Sequence, residues 1–335
     1  MAATIVSAGL KVLISGFAAL GLVTLLLTAM IARPVRAPPE LASISEARKA
    51  VDFSGLPDIE RFQARDGSWL GFRHYPAGHP STGRAAIVIH GSSGSSGTTI
   101  HALSAALSAH GVETYAVDIR GHGASGTRGD IAYLGQLEDD LADFVAVVRQ
   151  TTPTAPLTLI GHSAGGGFAL RVAASPIQNL FARTVLLAPY LGWDAPTNRP
   201  NSGGWASPDL PRIIGLLALR KIGIDCCEGL PVLAFAVPPN SGKILVPTYS
   251  DRLMRNFANH PDFRADLAAA TKPLTIIAGA EDELMLADKY AEAVRATAPS
   301  VKVRLIDGVN HMGIVSDPKA VSVVADDVAR SGADS

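Results

Sequence analysis

The chain opens on an unbroken apolar run and then changes period. Positions 12–31 are twenty consecutive residues without a charge, Asn, Gln or Pro. At about 1.5 Å per residue in a helix, such a run spans a hydrocarbon core of about 30 Å. It predicts a single membrane-spanning helix within residues 1–31. A cleaved signal peptide, giving an exported protein, is the alternative reading, but its apolar stretch is usually only about 7–15 residues and no Ala-x-Ala-like site comes after Ile31. Lys11 stands on one side of the run and Arg33, Arg36, Arg48 and Lys49 on the other, so the positive-inside rule favours a cytoplasmic side for the globular part of the chain.

Residues 32–55 carry Pro34, Pro38, Pro39 and scattered charges without a sustained apolar period, and read as a linker. From residue 56 the pattern alternates. Stretches 60–65 and 69–75 suit a hairpin around Asp66-Gly67, and 85–90 is an apolar run of the kind found in strands buried on both faces. Further strands are expected at 113–118, 157–161, 183–188, 274–278 and 301–306, and helices at 98–110, 137–149, 165–175, 286–297 and 317–330. Strands and helices in that order build an α/β fold whose mostly parallel central sheet has helices on both faces. About eighty residues separate Pro189 from Pro273, where connections of a few residues are usual, so an inserted cap is expected. The organisation is then a core of 56–196 and 266–335 with a cap at 197–265, whose apolar stretches 213–219 and 230–237 suggest short helices over a cleft.

Bulk chemistry narrows the function mainly by exclusion. A formal charge of −1 offers no basic field for phosphates, so nucleic acid is not an expected partner. Cys226 and Cys227 are the only cysteines and are adjacent, which supplies neither a disulfide framework nor a cysteine-rich zinc site. Oligomeric state leaves no mark in the sequence.

The residues that suggest chemistry lie at strand ends. Gly161-His162-Ser163-Ala164-Gly165 fits the G-x-S-x-G nucleophile elbow, between an expected strand and an expected helix. The sharp turn projects the serine, and flanking glycines remove side chains that would crowd it. A serine hydroxyl is a poor nucleophile near neutral pH, so a base must take its proton and an acid must hold that base's tautomer. With the chain order Ser, acid, His, the base is His311, in the loop after the last expected strand. The acid is Asp282, in Gly279-Ala280-Glu281-Asp282-Glu283, with Glu281 and Glu283 read as solvated charges and Asp194, after the preceding strand, as the competing placement. Two backbone N–H groups are needed for the oxyanion. Ala164 comes directly after the nucleophile and Ser92 directly after His90-Gly91, with Gly91 or Ser93 as alternative donors.

Asp118-Ile119-Arg120-Gly121-His122-Gly123-Ala124-Ser125, together with the elbow, resembles the D-x-R-G-H-G-x-S segment of α/β hydrolases related to monoglyceride lipases, lysophospholipases and S33 serine aminopeptidases. The resemblance spans about residues 56–330 and implies the α/β-hydrolase fold with a catalytic Ser163–Asp282–His311 set and no cofactor. It also implies that Arg120 to Ser125 shape the loop beside the cleft, so that His122 is structural. A serine at the elbow, where dehalogenase and epoxide hydrolase relatives carry aspartate, speaks against those reactions. The expected activity is hydrolysis of a carboxylic ester, with a lipophilic acyl group suggested by the apolar cap and the anchor. A peptidase or acyltransferase would use the same three residues, and a catalytically silent relative would use the cleft to bind a ligand.

Overall fold

The computed structural model describes residues 2–238, 241 and 244–330. Its centre is an eight-stranded sheet of β1 (Glu60–Gln63), β2 (Trp69–Tyr75), β3 (Arg84–Ile89), β4 (Val112–Val117), β5 (Leu157–His162), β6 (Arg183–Leu187), β10 (Leu274–Gly279) and β11 (Lys302–Ile306), in the order β1-β2-β4-β3-β5-β6-β10-β11. Strands β1 and β2 are antiparallel, as are β2 and β4, and all other neighbours are parallel. The parallel strands at the centre are strongly apolar because both their faces are covered: Ala85 to Ile89 in β3 are fully buried. At the hairpin, Gly67 adopts φ +84 and its N–H donates to the Ala64 carbonyl at 2.8 Å, a conformation that costs a residue with a Cβ more.

Helices α3 (Ile100–Ala109), α10 (Gly313–Ser316) and α11 (Pro318–Arg330) pack together, and α4 (Gln136–Thr151) and α5 (Ala164–Ala173) meet through a 3-10 turn at Pro176–Leu180. In α11 the buried positions Ala320, Val321, Val324, Ala325 and Val328 recur at helical spacing, so one stripe faces the core. The stretch expected as a helix at 286–297 is a 3-10 turn, Ala287–Lys289, running into α9 (Tyr290–Arg295).

Between β6 and β10 the chain makes a second, three-stranded antiparallel sheet of β7 (Ala206–Pro208), β8 (Pro231–Phe235) and β9 (Thr248–Ser250), with α6 (Leu210–Lys221), α7 (Asp251–Asn256) and α8 (Phe263–Ala269). The apolar stretch 213–219 is helical, but 230–237 is strand β8 and not a short helix. Pro231 and Pro238 bracket it, leaving too few residues for a stable helix, and Val232, Ala234 and Phe235 are buried against the neighbouring strands.

At the N-terminus, α1 (Ala2–Ala32) contains a segment, Ile14–Ala32, that is long and apolar enough to cross a membrane; none of its residues is fully buried, and Met30 and Ile31 at its end are partly covered. The expected linker is not featureless. It contains α2 (Ala42–Ala50), whose Ile44 is buried.

Strand order reverses at β3, which lies between β4 and β5. Open α/β sheets form their crevice at such a point, outside the carboxyl ends of the strands. Here those ends lead into His90-Gly91-Ser92 and into Ser163.

Candidate active site

The elbow is strained where the motif requires it. Ser163 adopts φ +54, ψ −117, a region that costs a residue with a side chain about 1–3 kcal/mol and persists only when its surroundings enforce it. Enforcement comes from backbone bonds: the Ser163 N–H donates to the Leu187 carbonyl at 2.9 Å, and its carbonyl accepts from Gly167 and Tyr190, each at 3.0 Å. The flanking glycines are there for space. A Cβ on Gly161 would collide with the Gly165 carbonyl, and one on Gly165 with the His90 carbonyl.

Ser163, His311 and Asp282 arrive from three strand ends and meet. His311 Nε2 lies 3.0 Å from Ser163 Oγ, and His311 Nδ1 lies 2.8 Å from Asp282 Oδ2. All three are buried, Asp282 and His311 to 1% exposure. Burial raises the Asp282 pKa, but the His311 ring and the backbone N–H groups of Met285 and Leu284 more than offset it, and the net shift is downward. Its Oδ1 accepts from Leu284 N–H at 2.8 Å and Met285 N–H at 2.7 Å, leaving Oδ2 for the ring. An ionised carboxylate only accepts, so Nδ1 carries the proton and Nε2 is left bare to accept from the Ser163 hydroxyl. Asp194, the competing acid, is exposed and makes no hydrogen bond to His311.

Residues around the three hold them in place, and several carried no signal in the sequence. Glu283, read as a solvated charge, is half-buried and its Oε2 accepts from the His311 backbone N–H at 2.9 Å. His162 Nε2 lies 3.1 Å from the His311 carbonyl, to which it donates. Burial first, and the neighbouring His311 second, push the His162 pKa down to about 3, so it stays neutral. Arg199, from the segment between β6 and β10, donates to the Asp282 and Met285 carbonyls at 3.0 and 3.2 Å.

The loop after β3 is suspended from the segment between β6 and β10 and from the Asp118–Ser125 segment. Ser93 N–H donates to Tyr249 Oη at 2.7 Å, and that hydroxyl lies 2.5 Å from His122 Nε2. The His122 Nδ1 faces the Ile119 and Arg120 carbonyls, so Nδ1 is protonated and Nε2 accepts from the tyrosine. His122 is thus a buried strut. Asp118 Oδ1 takes the Ser96 N–H at 2.6 Å and Oδ2 the Ala124 N–H at 2.8 Å, while Arg120 makes a two-pronged pair with Asp140, both bonds 2.8 Å. Ser93 N–H is therefore already bonded. Ser92 N–H and Ala164 N–H have no hydrogen-bond partner among the described residues, and Ser92 lines the cleft beside Ser163. The Trp205 indole N–H donates to Ser92 Oγ at 2.8 Å.

These groups open on a cleft of about 660 Å³, the size of a small-molecule site. Residues 81–222 match the family described as serine aminopeptidase, S33. The chain is 26% identical to the monoacylglycerol lipase of Mycolicibacterium smegmatis over 267 residues, covering 76% of this chain and 90% of that one. The fold is shared with a soluble variant of the Saccharomyces cerevisiae monoglyceride lipase solved with a substrate analog, at TM-score 0.57 and 18% identity over 82% of this chain and 94% of that one. The chain has the α/β-hydrolase fold. Within that fold it resembles the monoglyceride lipase-like group. A membrane phospholipase A described as a bacterial virulence factor shares its fold at TM-score 0.55 and 14% identity, over 99% of this chain and all of that one. An N-formylmaleamate deformylase of Pseudomonas putida is 25% identical over 61% of this chain and 73% of its own.

Proposed function

We propose that this α/β hydrolase cleaves carboxylic esters with a lipophilic acyl group through an acyl-Ser163 intermediate. The observation that carries this reading is the unbroken line from Asp282 through His311 to Ser163, ending in a cleft. In the mechanism, Ser163 Oγ attacks the ester carbonyl carbon as His311 Nε2 takes the hydroxyl proton. The Ser92 and Ala164 N–H groups stabilise the oxyanion. Collapse breaks the bond to the alcohol, which leaves with the proton from His311, and a water then repeats the sequence on the acyl-serine. Asp282 keeps Nδ1 protonated throughout. No cofactor takes part. Relatives named as monoacylglycerol and monoglyceride lipases support the ester class, while the aminopeptidase description of the family and the deformylase favour an amide as the second reading. Labelling by a fluorophosphonate, with hydrolysis of 1-oleoylglycerol measured beside that of a matched oleoyl amide, tests this. Labelling with faster ester turnover is expected; no labelling of folded protein would sink the mechanism, and faster amide turnover would favour the second reading.

We further propose that residues 1–31 are a retained membrane anchor, 32–55 its junction, 56–196 with 266–335 the core, and 197–265 the cap, with the core on the cytoplasmic side. The end of α1 is docked on the cap in support of this: Arg212 Nε donates to the Ile31 carbonyl at 2.8 Å, and Gly215 is so close that a Cβ there would come to 3.0 Å from Ile31. Next to that contact α6 exposes Leu210, Ile214 and Leu217, which suit the acyl boundary of the same bilayer. The protein is expected to stay with membranes in alkaline carbonate. Release of a species that begins beyond residue 31 would instead support the cleaved signal.

A further inference from the structure

The segment joining anchor to core forms part of the wall of the Ser163 cleft. Ile44, Arg48, Val51 and Phe53 line the same cavity as Ser163 and His311, although all four lie outside the region that matches the family. The segment is fixed along its length. Leu41 lies 3.9 Å from where a Cβ on Gly204 of the cap would stand, Ile44 is buried, and the Phe53 ring stacks on His101 with centroids 5.9 Å apart.

Along α2 and its C-cap, Ile44, Arg48 and Val51 are spaced i, i+4 and i+7, so they share one face of a helix. Since Ile44 is the buried member, that face points inward and carries the Arg48 guanidinium to the cleft. Arg48 is half-buried, and its side chain makes no ion pair or hydrogen bond among the described residues. A guanidinium is planar and always charged, with five donors that match an oxyanion in pairs, so leaving it unpaired in a partly dried cavity is costly unless an anion arrives. Lys49 lines the cavity as well and is exposed; its place in the last turn also suits the helix dipole. Among the described residues Glu40 is the one carboxylate of the lining, and Ser45 Oγ donates to it at 2.6 Å. Among the described lining residues, two cations are therefore set against a single, already bonded acid.

We propose that Arg48, backed by Lys49, is an anion subsite of the Ser163 cleft, and that the preferred substrate is a lipophilic ester bearing a phosphate or carboxylate, not a neutral monoacylglycerol. This rests on the hydrolase reading of the cleft. The full chain in neutral detergent micelles, which removes any attraction to an anionic membrane, is assayed on three oleoyl-sized esters: 1-oleoylglycerol, 1-oleoyl-lysophosphatidic acid, and the monoglyceride of a dicarboxylic fatty acid. For Arg48→Gln the ratio of kcat/KM for an anionic ester to that for 1-oleoylglycerol falls about tenfold, carried by KM. A loss confined to the phosphate ester puts the charge on the alcohol side of the substrate, and one confined to the dicarboxylic ester puts it on the acyl side. Arg36→Gln, an exposed cation of the same segment that does not line the cleft, leaves both ratios unchanged. An unchanged ratio in Arg48→Gln, or an equal change in Arg36→Gln, overturns the subsite while leaving the hydrolase intact. Loss of fluorophosphonate labelling and of all turnover in the unmutated chain would instead overturn the hydrolase reading, and the subsite with it.

Discussion

Ser163→Ala is expected to lower kcat on a p-nitrophenyl ester by about 10⁴–10⁶-fold while leaving the fold and thermal midpoint close to those of the unmutated protein. The loss is large because no other hydroxyl occupies the point 3.0 Å from His311 Nε2, so the covalent route has no substitute. Residual activity would come from the oxyanion donors and from binding, which outlast the nucleophile. Stability is spared because alanine keeps the Cβ, and the strained φ of +54 is held by backbone bonds to Leu187, Gly167 and Tyr190 that the substitution does not touch. Turnover within tenfold of the unmutated protein, with stability unchanged, would mean that the chemistry lies elsewhere.

Asp282→Asn should cost nearly as much, about 10⁴-fold in kcat, through a proton rather than through an atom removed from the reaction. An amide nitrogen placed toward His311 Nδ1 would donate, so the ring would carry its proton on Nε2 and could no longer accept from Ser163. The carbonyl oxygen of the new amide can still take the Leu284 and Met285 N–H groups, so the loop is expected to hold. The sign of the stability effect comes from the lowered pKa of Asp282. A depressed carboxylate adds stability that is present above its unfolded pKa and is lost as pH falls through its folded value. The stability gap between Asp282→Asn and the unmutated protein should therefore shrink on acidification. A kcat loss under tenfold would transfer attention to Asp194.

Local patterns made the sheet readable. The run 85–90 could be read as a doubly covered strand because it is apolar at nearly every position, and β3 ends at Ile89. The three polar residues could be placed in one site because each comes after a strand whose carboxyl end faces the same crevice. The cap was harder for a physical reason: a run of eight mostly apolar residues such as 230–237 has no period long enough to separate strand from helix, and only Pro231 and Pro238 mark its limits. Contacts across long sequence separations were not readable at all. Nothing near Glu283 announces that it accepts from the His311 backbone, and nothing near Tyr249 announces a bond to Ser93, 156 residues away. Arg48 looked like a membrane-flanking charge because its neighbours are charged too; only the burial of Ile44, one turn earlier, shows which way it faces.

The side-chain bonds that tie the loop after β3 to the cap, from Trp205 to Ser92 and from Ser93 to Tyr249, limit how this scaffold can be rebuilt. Caps are the natural unit to exchange between relatives when a new substrate range is wanted. In this protein a transplanted cap must bring an indole N–H and a tyrosine hydroxyl to the same two points, or the turnover machinery changes together with the selectivity. A graft chosen only for the shape of its substrate chamber would leave His122 without the phenol that it accepts from, and a neutral imidazole would be stranded in the core.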